Sequence, residues 1–322
     1  MFSGKAKDVQ IYENNKIKLI FRDSISAFDG EKKDNLQGKG EVNCRMSAKL
    51  FEILNGYGIH THYHSMLDNN TLICDKVEII PVEIVCRNVT AGSFCKRYGV
   101  EQGLELSPPV IEFFYKDDEL HDPLVTQDVA IQLGWMIKEE AMLMEAVTRA
   151  VNTILVELFD MVSLQLVDFK LEFGRTHDGR IIVADEISGD SMRLWDKETG
   201  EIKDKDRYRK GMGDVIQHYN DVYDKLSKLS KLPDLSLSTK AQVIVKLKQT
   251  VLDPAGEVTL RSLNRMNYQE INNARLGKHV FVNCLTAPSS ELLKNLRDMS
   301  EKLFSNPLIE DYFIDLWFEE EG

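Results

Sequence analysis

Alternating apolar and polar residues open the chain. Residues 8–13 and 16–22 read as two strands about Asn14-Asn15, a pair that tolerates positive φ, and this predicts a hairpin. Further strands are predicted at 59–64, 71–76 and 82–88. Over 127–160 the apolar spacing shifts to three and four, which predicts a long helix broken or bent near Gly134. Alternation returns at 164–173 and 180–187, a second hairpin joined around Asp178-Gly179, and a helix over 206–226 follows.

The stretch 227–238 is rich in serine and holds Pro233, as a linker does. Beyond it the pattern reads β-α-β-β-α-β. Residues 241–249 alternate, Pro254 opens a helix running toward Tyr268, and two strands flank Gly277-Lys278. A helix over 289–304 and a strand over 309–318 complete this part. The expected organisation is one unit at 1–226, a linker at 227–238 and a second unit at 239–322. At 322 residues the chain exceeds what one core usually supports, which agrees with two units.

Composition narrows the function. A hydrophobic share of 43% with 29% charged residues describes a folded globular chain. The net charge of −12 argues against non-specific nucleic-acid binding, which needs clustered Lys and Arg, yet leaves room for a local basic pocket. No apolar run approaches the ~20 residues of a membrane span, and Met1–Lys5 has no apolar signal stretch. The five cysteines form no CxxC pair, so buried free thiols in the cytoplasm are expected.

Within 164–173 one strand face carries Asp168, Lys170 and Glu172 and the other carries Val167, Phe169, Leu171 and Phe173. Centring the next loop between Asp178 and Gly179 sets Glu172 opposite Asp185 and Lys170 opposite Ile187. Opposed carboxylates repel unless neutralised, and Mg²⁺ on nucleotide phosphates is a natural partner. A solvated charged hairpin fits the same pattern. Gly4-Lys5-Ala6-Lys7 could place amides and ammonium groups over phosphates, and is equally a basic N-terminus. The stretch 22–29 with Gly38-Lys39-Gly40 reads as a polar loop suited to small-molecule capture. Arg87–Ser93 offers guanidinium, hydroxyl and amide donors to a phosphate. His60, His62 and His64 alternate on one strand face; without a fourth ligand an exposed face explains them better than zinc.

In order, GKAK at 4–7, DSISAFDG at 23–30, VEIVCRNVTAGS at 82–93, VDFKLEFG at 167–174 and DEISGDSMRLWD at 185–196 closely resemble the SAICAR synthetase family. The resemblance spans about residues 2–226. It implies an α+β fold of two lobes, related to ATP-grasp enzymes, closing on ATP. It also implies a carbon–nitrogen ligase of purine biosynthesis that joins 5-aminoimidazole-4-carboxyribonucleotide to L-aspartate with ATP and Mg²⁺. Carried onto this sequence, Gly4, Lys5, Ala6 and Lys7 approach the nucleotide phosphates, and Val82, Glu83 and Ile84 form the adenine hinge. Glu172 and Asp185 hold Mg²⁺. Arg87, Ser93 and Arg193 bind the ribonucleotide phosphate, and Lys170 and Asp190 lie near the imidazole carboxylate. Ser26, Asp29 and Lys39 help assemble the aspartate and carboxylate sites. Gly189 departs from the family, which usually has proline there, and only three residues precede Gly4.

VLDPAGEV at 251–258, ARLGKHVFV at 274–282 and NPLIEDYFID at 306–315 resemble the small S subunit of formylglycinamidine ribonucleotide synthase. This implies a module without chemistry of its own that self-associates and bridges the large synthetase and glutaminase subunits. The whole then reads as a fused, cytoplasmic, homo-oligomeric ligase with an assembly module. The alternative is a non-catalytic ATP-binding scaffold that delivers the S module. A kinase-like phosphotransferase is disfavoured by the absence of HRD and DFG.

Overall fold

The computed structural model describes residues 2–4, 6–27 and 31–318. The opening alternation folds as β1 (Phe2–Ser3), β2 (Lys7–Ile11) and β3 (Lys16–Phe21), with the β2–β3 turn at Asn15, whose φ is 65°. A short pair, β4 (Ser24–Ala27) and β5 (Lys32–Asn35), leads into α1 (Lys39–Gly56). Then β6 (Tyr63–Asp68) and β7 (Thr71–Asp75) complete an antiparallel sheet in the order β1-β2-β3-β7-β6.

Helix α1 is a correction, because sequence reading leaves Gly38-Lys39-Gly40 in a loop. Gly38 takes φ 85° and starts the helix. Gly40 lies so close to β3 that a β-carbon would come within 2.8 Å of the Phe21 carbonyl oxygen. Most of α1 is buried, with polar Asn43 and Ser47 covered beside Leu50, Phe51 and Leu54, and a narrow stripe of Glu41, Arg45, Lys49 and Glu52 reaches solvent.

The second sheet is built from β8 (Glu78–Val89), β9 (Glu105–Tyr115), β10 (Leu124–Val125), β11 (Leu164–Arg175) and β12 (Ile181–Ala184). Its order is β10-β9-β8-β11-β12, and β13 (Met192–Asp196) pairs with the other end of β11. Between β8 and β9 lies α2 (Ser93–Tyr98). The expected long helix is two, α3 (Gln127–Gln132) and α4 (Lys138–Asp160), parted where Gly134 takes φ 74°. The expected helix at 206–226 is likewise split, into α5 (Asp206–Arg209) and α6 (Val215–Ser227), by Gly211 and Gly213 at positive φ.

The register of the second hairpin differs from the expected one by a residue: Glu172 pairs with Ala184. The ladder ends there, so Lys170 does not face Ile187 across it. Had β12 continued, Asp185 would point away from Glu172. Instead Asp185 takes φ 64°, outside the strand region, and this break returns its carboxylate to the same side.

Beyond α6 come β14 (Thr239–Leu247), α7 (Pro254–Arg265), β15 (Gly277–Cys284), α8 (Ser290–Met299), a π turn at Ser300–Phe304 and β16 (Glu310–Phe318). Among the described residues this sheet has three strands, β15-β14-β16, not the four of the βαββαβ reading. The segment before Gly277 is a bracket: Arg275 reaches the carbonyls of Lys248 and Val251 at 2.9 Å, and the Leu276 amide donates to Asp253. One face of the sheet packs on α4. Ala241, Leu316 and Phe318 share a buried core with Leu143, Met144 and Leu155. Among the described residues no helix is long and apolar enough to cross a membrane.

Candidate active site

A cavity of about 580 Å³ opens between the two larger sheets. Its floor is the polar face of β8 and β11, its roof is β2, β3 and β4, and the loop after β12 closes one side. The alternation of β11 decides the arrangement. Lys170 and Glu172 face the cavity, while Leu171 and Phe173 are buried toward α4.

Three lysines and four acids interlock there. Lys7 Nζ lies 2.7 Å from Asp185 Oδ1 and 2.7 Å from Glu186 Oε1. Lys170 Nζ lies 2.8 Å from Glu83 and 3.0 Å from Glu172 Oε1, and Lys116 takes the other oxygen of Glu172. Burial alone would raise the Glu172 pKa, but Lys170 and Lys116 override it and hold the carboxyl well below its usual range. Asp185 goes the other way. Burial, with repulsion from Glu172 and Glu186, outweighs Lys7 and raises its pKa. Asp185 and Glu172 are thus close enough to repel and in need of positive charge between them. No group of three or more His, Cys, Asp or Glu poised for a metal occurs among the described residues. Two carboxylates facing a polar cavity of this size nevertheless fit Mg²⁺, which takes oxygen ligands and leaves the remaining positions to phosphate and water.

Behind the acids stands His62, which is buried, in contrast to the exposed His60 and His64. The expected single exposed histidine face is therefore wrong. Thr61 bridges to Val183, and β6 begins only at Tyr63, so the alternation does not run through 60–64. The His62 ring Nε2 lies 3.1 Å from the Asp185 carbonyl oxygen and bonds it in its left-handed turn. Burial holds His62 neutral, with its pKa down to about 4.

At the far end the cations are arginines. Arg87 and Arg193 converge on Asp168 Oδ2 at 2.9 and 2.6 Å; Arg87 also binds Glu112, and Arg193 binds Asp206. The Arg193 guanidinium lies against Gly92, where a β-carbon would come within 2.5 Å of Nη2. Nearby, Lys39 Nζ is 2.6 Å from Asp190 Oδ2, and Tyr219 donates to Asp190 Oδ1 at 2.8 Å. Lys39 and Tyr219 are fully buried, and the Tyr219 ring fills the space that a β-carbon on Gly189 would need.

Of the residues singled out in the sequence, Gly4, Ala6, Lys7, Ser26, Glu83, Arg87, Lys170, Glu172, Asp185, Asp190 and Arg193 line this one cavity. Lys5 and Asp29 lie outside the described residues. Val82 and Ile84 turn their side chains into the apolar core, so only backbone there can meet a ligand. Ser93 is exposed at the start of α2 and does not line the cavity, and Lys39 is committed to Asp190. Asp168, placed on the charged strand face with no role assigned, lines it too, and Lys116, Glu186, Lys205 and Arg209 line it without having been singled out. For Lys205 and Arg209 a signal existed: a spacing of four places both on one side of a helical turn.

Residues 1–226 match the family described as SAICAR synthetase, and residues 240–317 match PurS, described as phosphoribosylformylglycinamidine (FGAM) synthase. The chain is similar to the phosphoribosylaminoimidazole-succinocarboxamide synthase of Methanocaldococcus jannaschii. They are 46% identical over 229 residues, 71% of this chain and 95% of that protein. The synthase of the same name from Ehrlichia chaffeensis has a solved structure with TM-score 0.70 and 39% identity, over 72% of this chain and 99% of that one. A SAICAR synthetase solved in complex with ADP gives TM-score 0.69 at 39% identity, over 73% and 99%.

Proposed function

Since the chain belongs to the SAICAR synthetase family and carries a PurS-like part behind it, we propose that it joins 5-aminoimidazole-4-carboxyribonucleotide to L-aspartate at the expense of ATP. The observation that carries this reading is the gathering of Lys7, Lys170, Glu172 and Asp185 on one cavity, with the arginine pair at its other end. In this reading the adenine lies along the backbone of residues 82–84 and the phosphates meet Lys7 and the 4–7 turn. The ribonucleotide phosphate takes Arg193 and Arg87, with Ser93 drawn in from the rim.

A carboxylate resists an amine because oxide is a poor leaving group. Transfer of the γ-phosphoryl group to the imidazole carboxylate releases ADP and gives an acyl phosphate. The aspartate amine then attacks the acyl carbon, phosphate leaves, and the nitrogen sheds its proton. The work of the protein is alignment and charge neutralisation. Lys170 exchanges part of its hold on Glu83 and Glu172 for the reacting carboxylate, and Lys7 turns from Asp185 toward the phosphates. When bound through Glu172 and Asp185, Mg²⁺ supplies the positive charge that offsets the triphosphate. Asp190, fixed by Lys39 and Tyr219, lines the imidazole end as an ionised carboxylate.

The C-terminal part serves assembly. Its support is the apolar surface it leaves uncovered, including Leu252, Phe281, Leu285 and Leu308, the last 84% exposed. In this reading it self-associates in the cytoplasm and binds the large synthetase and glutaminase subunits of formylglycinamidine ribonucleotide synthase. Two measurements test the whole. ADP release with the imidazole nucleotide should depend on L-aspartate and match SAICAR formed; absence of that product would remove the ligase reading. The intact chain should retain the large synthetase subunit in a pull-down, and failure to do so would remove the assembly role.

A further inference from the structure

Lys39 stood as the candidate cation for the amino acid and carboxylate sites, but its charge is spent on Asp190, inside the protein. The cavity therefore needs another cation for the carboxylates of its third substrate. Six described lysines and arginines on its wall already hold a carboxylate, Arg209 among them through Asp206 at 2.5 Å. Lys205 is different. Among the described residues its ammonium group has no hydrogen-bond or ion-pair partner, although it lines the cavity beside Asp190 and Arg209. Its backbone amide bonds the Gly189 carbonyl at 3.2 Å, which ties its stem to the loop that carries Asp190.

We infer that Lys205 is the anchor for a carboxylate of the amino acid substrate, with Arg209, one helical turn on, beside it. The inference rests on the ligase reading above and names the part of the cavity that this substrate occupies. A partly buried ammonium without a counter-ion is costly. Burial holds the Lys205 pKa below the usual lysine value, and Arg209 and Lys39 push the same way against Asp190. An incoming carboxylate supplies the missing negative charge. Lysine suits it as a point charge, whereas the arginine fork at Asp168 suits the larger phosphate of the ribonucleotide.

Initial rates of the intact Lys205→Met and Lys205→Arg chains, with each substrate varied in turn, test the inference. Lys205→Met should raise KM for L-aspartate by about 10- to 100-fold, the loss of one charged hydrogen bond. KM for ATP and for the ribonucleotide should stay within about twofold, and Lys205→Arg should recover part of the affinity. Calorimetry with succinate, an unreactive dicarboxylate, in the presence of ADP reads the same anchor without turnover. Weaker succinate binding to a Lys205→Met chain that still binds ADP supports the inference even if the wild type makes no product, a result that would count against the ligase reading alone. Three results would overturn it: unchanged aspartate and succinate affinity, a raised KM for the ribonucleotide instead, or a fall in kcat with a shifted pH profile at constant KM.

Discussion

The cavity and the seam where α4 meets the C-terminal sheet lie on opposite faces of β11, and they hold the protein together by opposite means. On the cavity side Lys170 and Glu172 belong to a network in which every described acid has a cation within hydrogen-bonding reach. Toward α4 the same strand gives Leu171 and Phe173, and the far side of α4 buries Leu316 and Phe318 of β16. The seam holds few polar contacts; one is the Leu316 amide on Met142 Sδ at 3.0 Å. Ion pairs at a cavity wall can be traded for a ligand's charges at little net cost, because each lysine passes from one anion to another. Apolar contact has no such substitute. The first arrangement suits a site that fills and empties, and the second suits a lasting attachment of the C-terminal part.

Breaking each side should give different signatures. Glu172→Gln removes a charge from the cavity and should lower turnover by about 100- to 1,000-fold, with the thermal midpoint little changed in a melting scan. Leu316→Ala empties part of the seam and should cost about 2–5 kcal/mol in denaturant unfolding, with KM values unmoved in what remains folded. If Glu172→Gln instead unfolded the chain and Leu316→Ala lowered turnover alone, the contrast would be reversed.

Three smaller effects sharpen it. Asp204 accepts the amides of Leu194 and Asp206 out of water, and burial, with Asp206 beside it, raises its pKa to about 7. The native state therefore holds a proton that the unfolded chain loses near the ordinary aspartate pKa of about 4. Stability from this group is present below about pH 4 and lost as pH rises toward 7. The advantage of wild type over Asp204→Asn should shrink across that window, on the order of 2–4 kcal/mol, in unfolding curves taken at each pH. Gly189→Ala drives a β-carbon to 2.7 Å from the Tyr219 ring and should cost about 1–3 kcal/mol, with weaker substrate binding as Asp190 shifts. Lys302→Ala, which breaks an exposed pair with Asp298, should change stability by less than about 0.5 kcal/mol.

Much of this contrast was legible in the sequence because β11 alternates cleanly, so its charged and apolar faces could be separated before any fold was known. Motif order then supplied what spacing could not, the partnership of residues 4–7 with 170–193. Other parts were hidden for physical reasons. The loop centre placed Asp185 opposite Glu172, but one residue of register is invisible when the turn can close either way, and only the positive φ at Asp185 restores the pairing in space. Helix α1 buries the polar Asn43 and Ser47 along with its apolar residues, so its exposed stripe of Glu41, Arg45, Lys49 and Glu52 is narrow and easily missed. The commitment of Lys39 to Asp190, across 151 residues of chain, is a tertiary event that no local pattern records. Gly189 departs from the proline usual in the family, and beside the ring of Tyr219 it is the residue that leaves room.

The most direct measurement follows one oxygen atom. With the imidazole carboxylate of the ribonucleotide labelled with ¹⁸O, turnover by the intact chain with ATP and L-aspartate should release phosphate carrying one labelled oxygen. Unlabelled phosphate, formed at the same rate as the product, would contradict transfer through an acyl phosphate and with it the role given to the cavity.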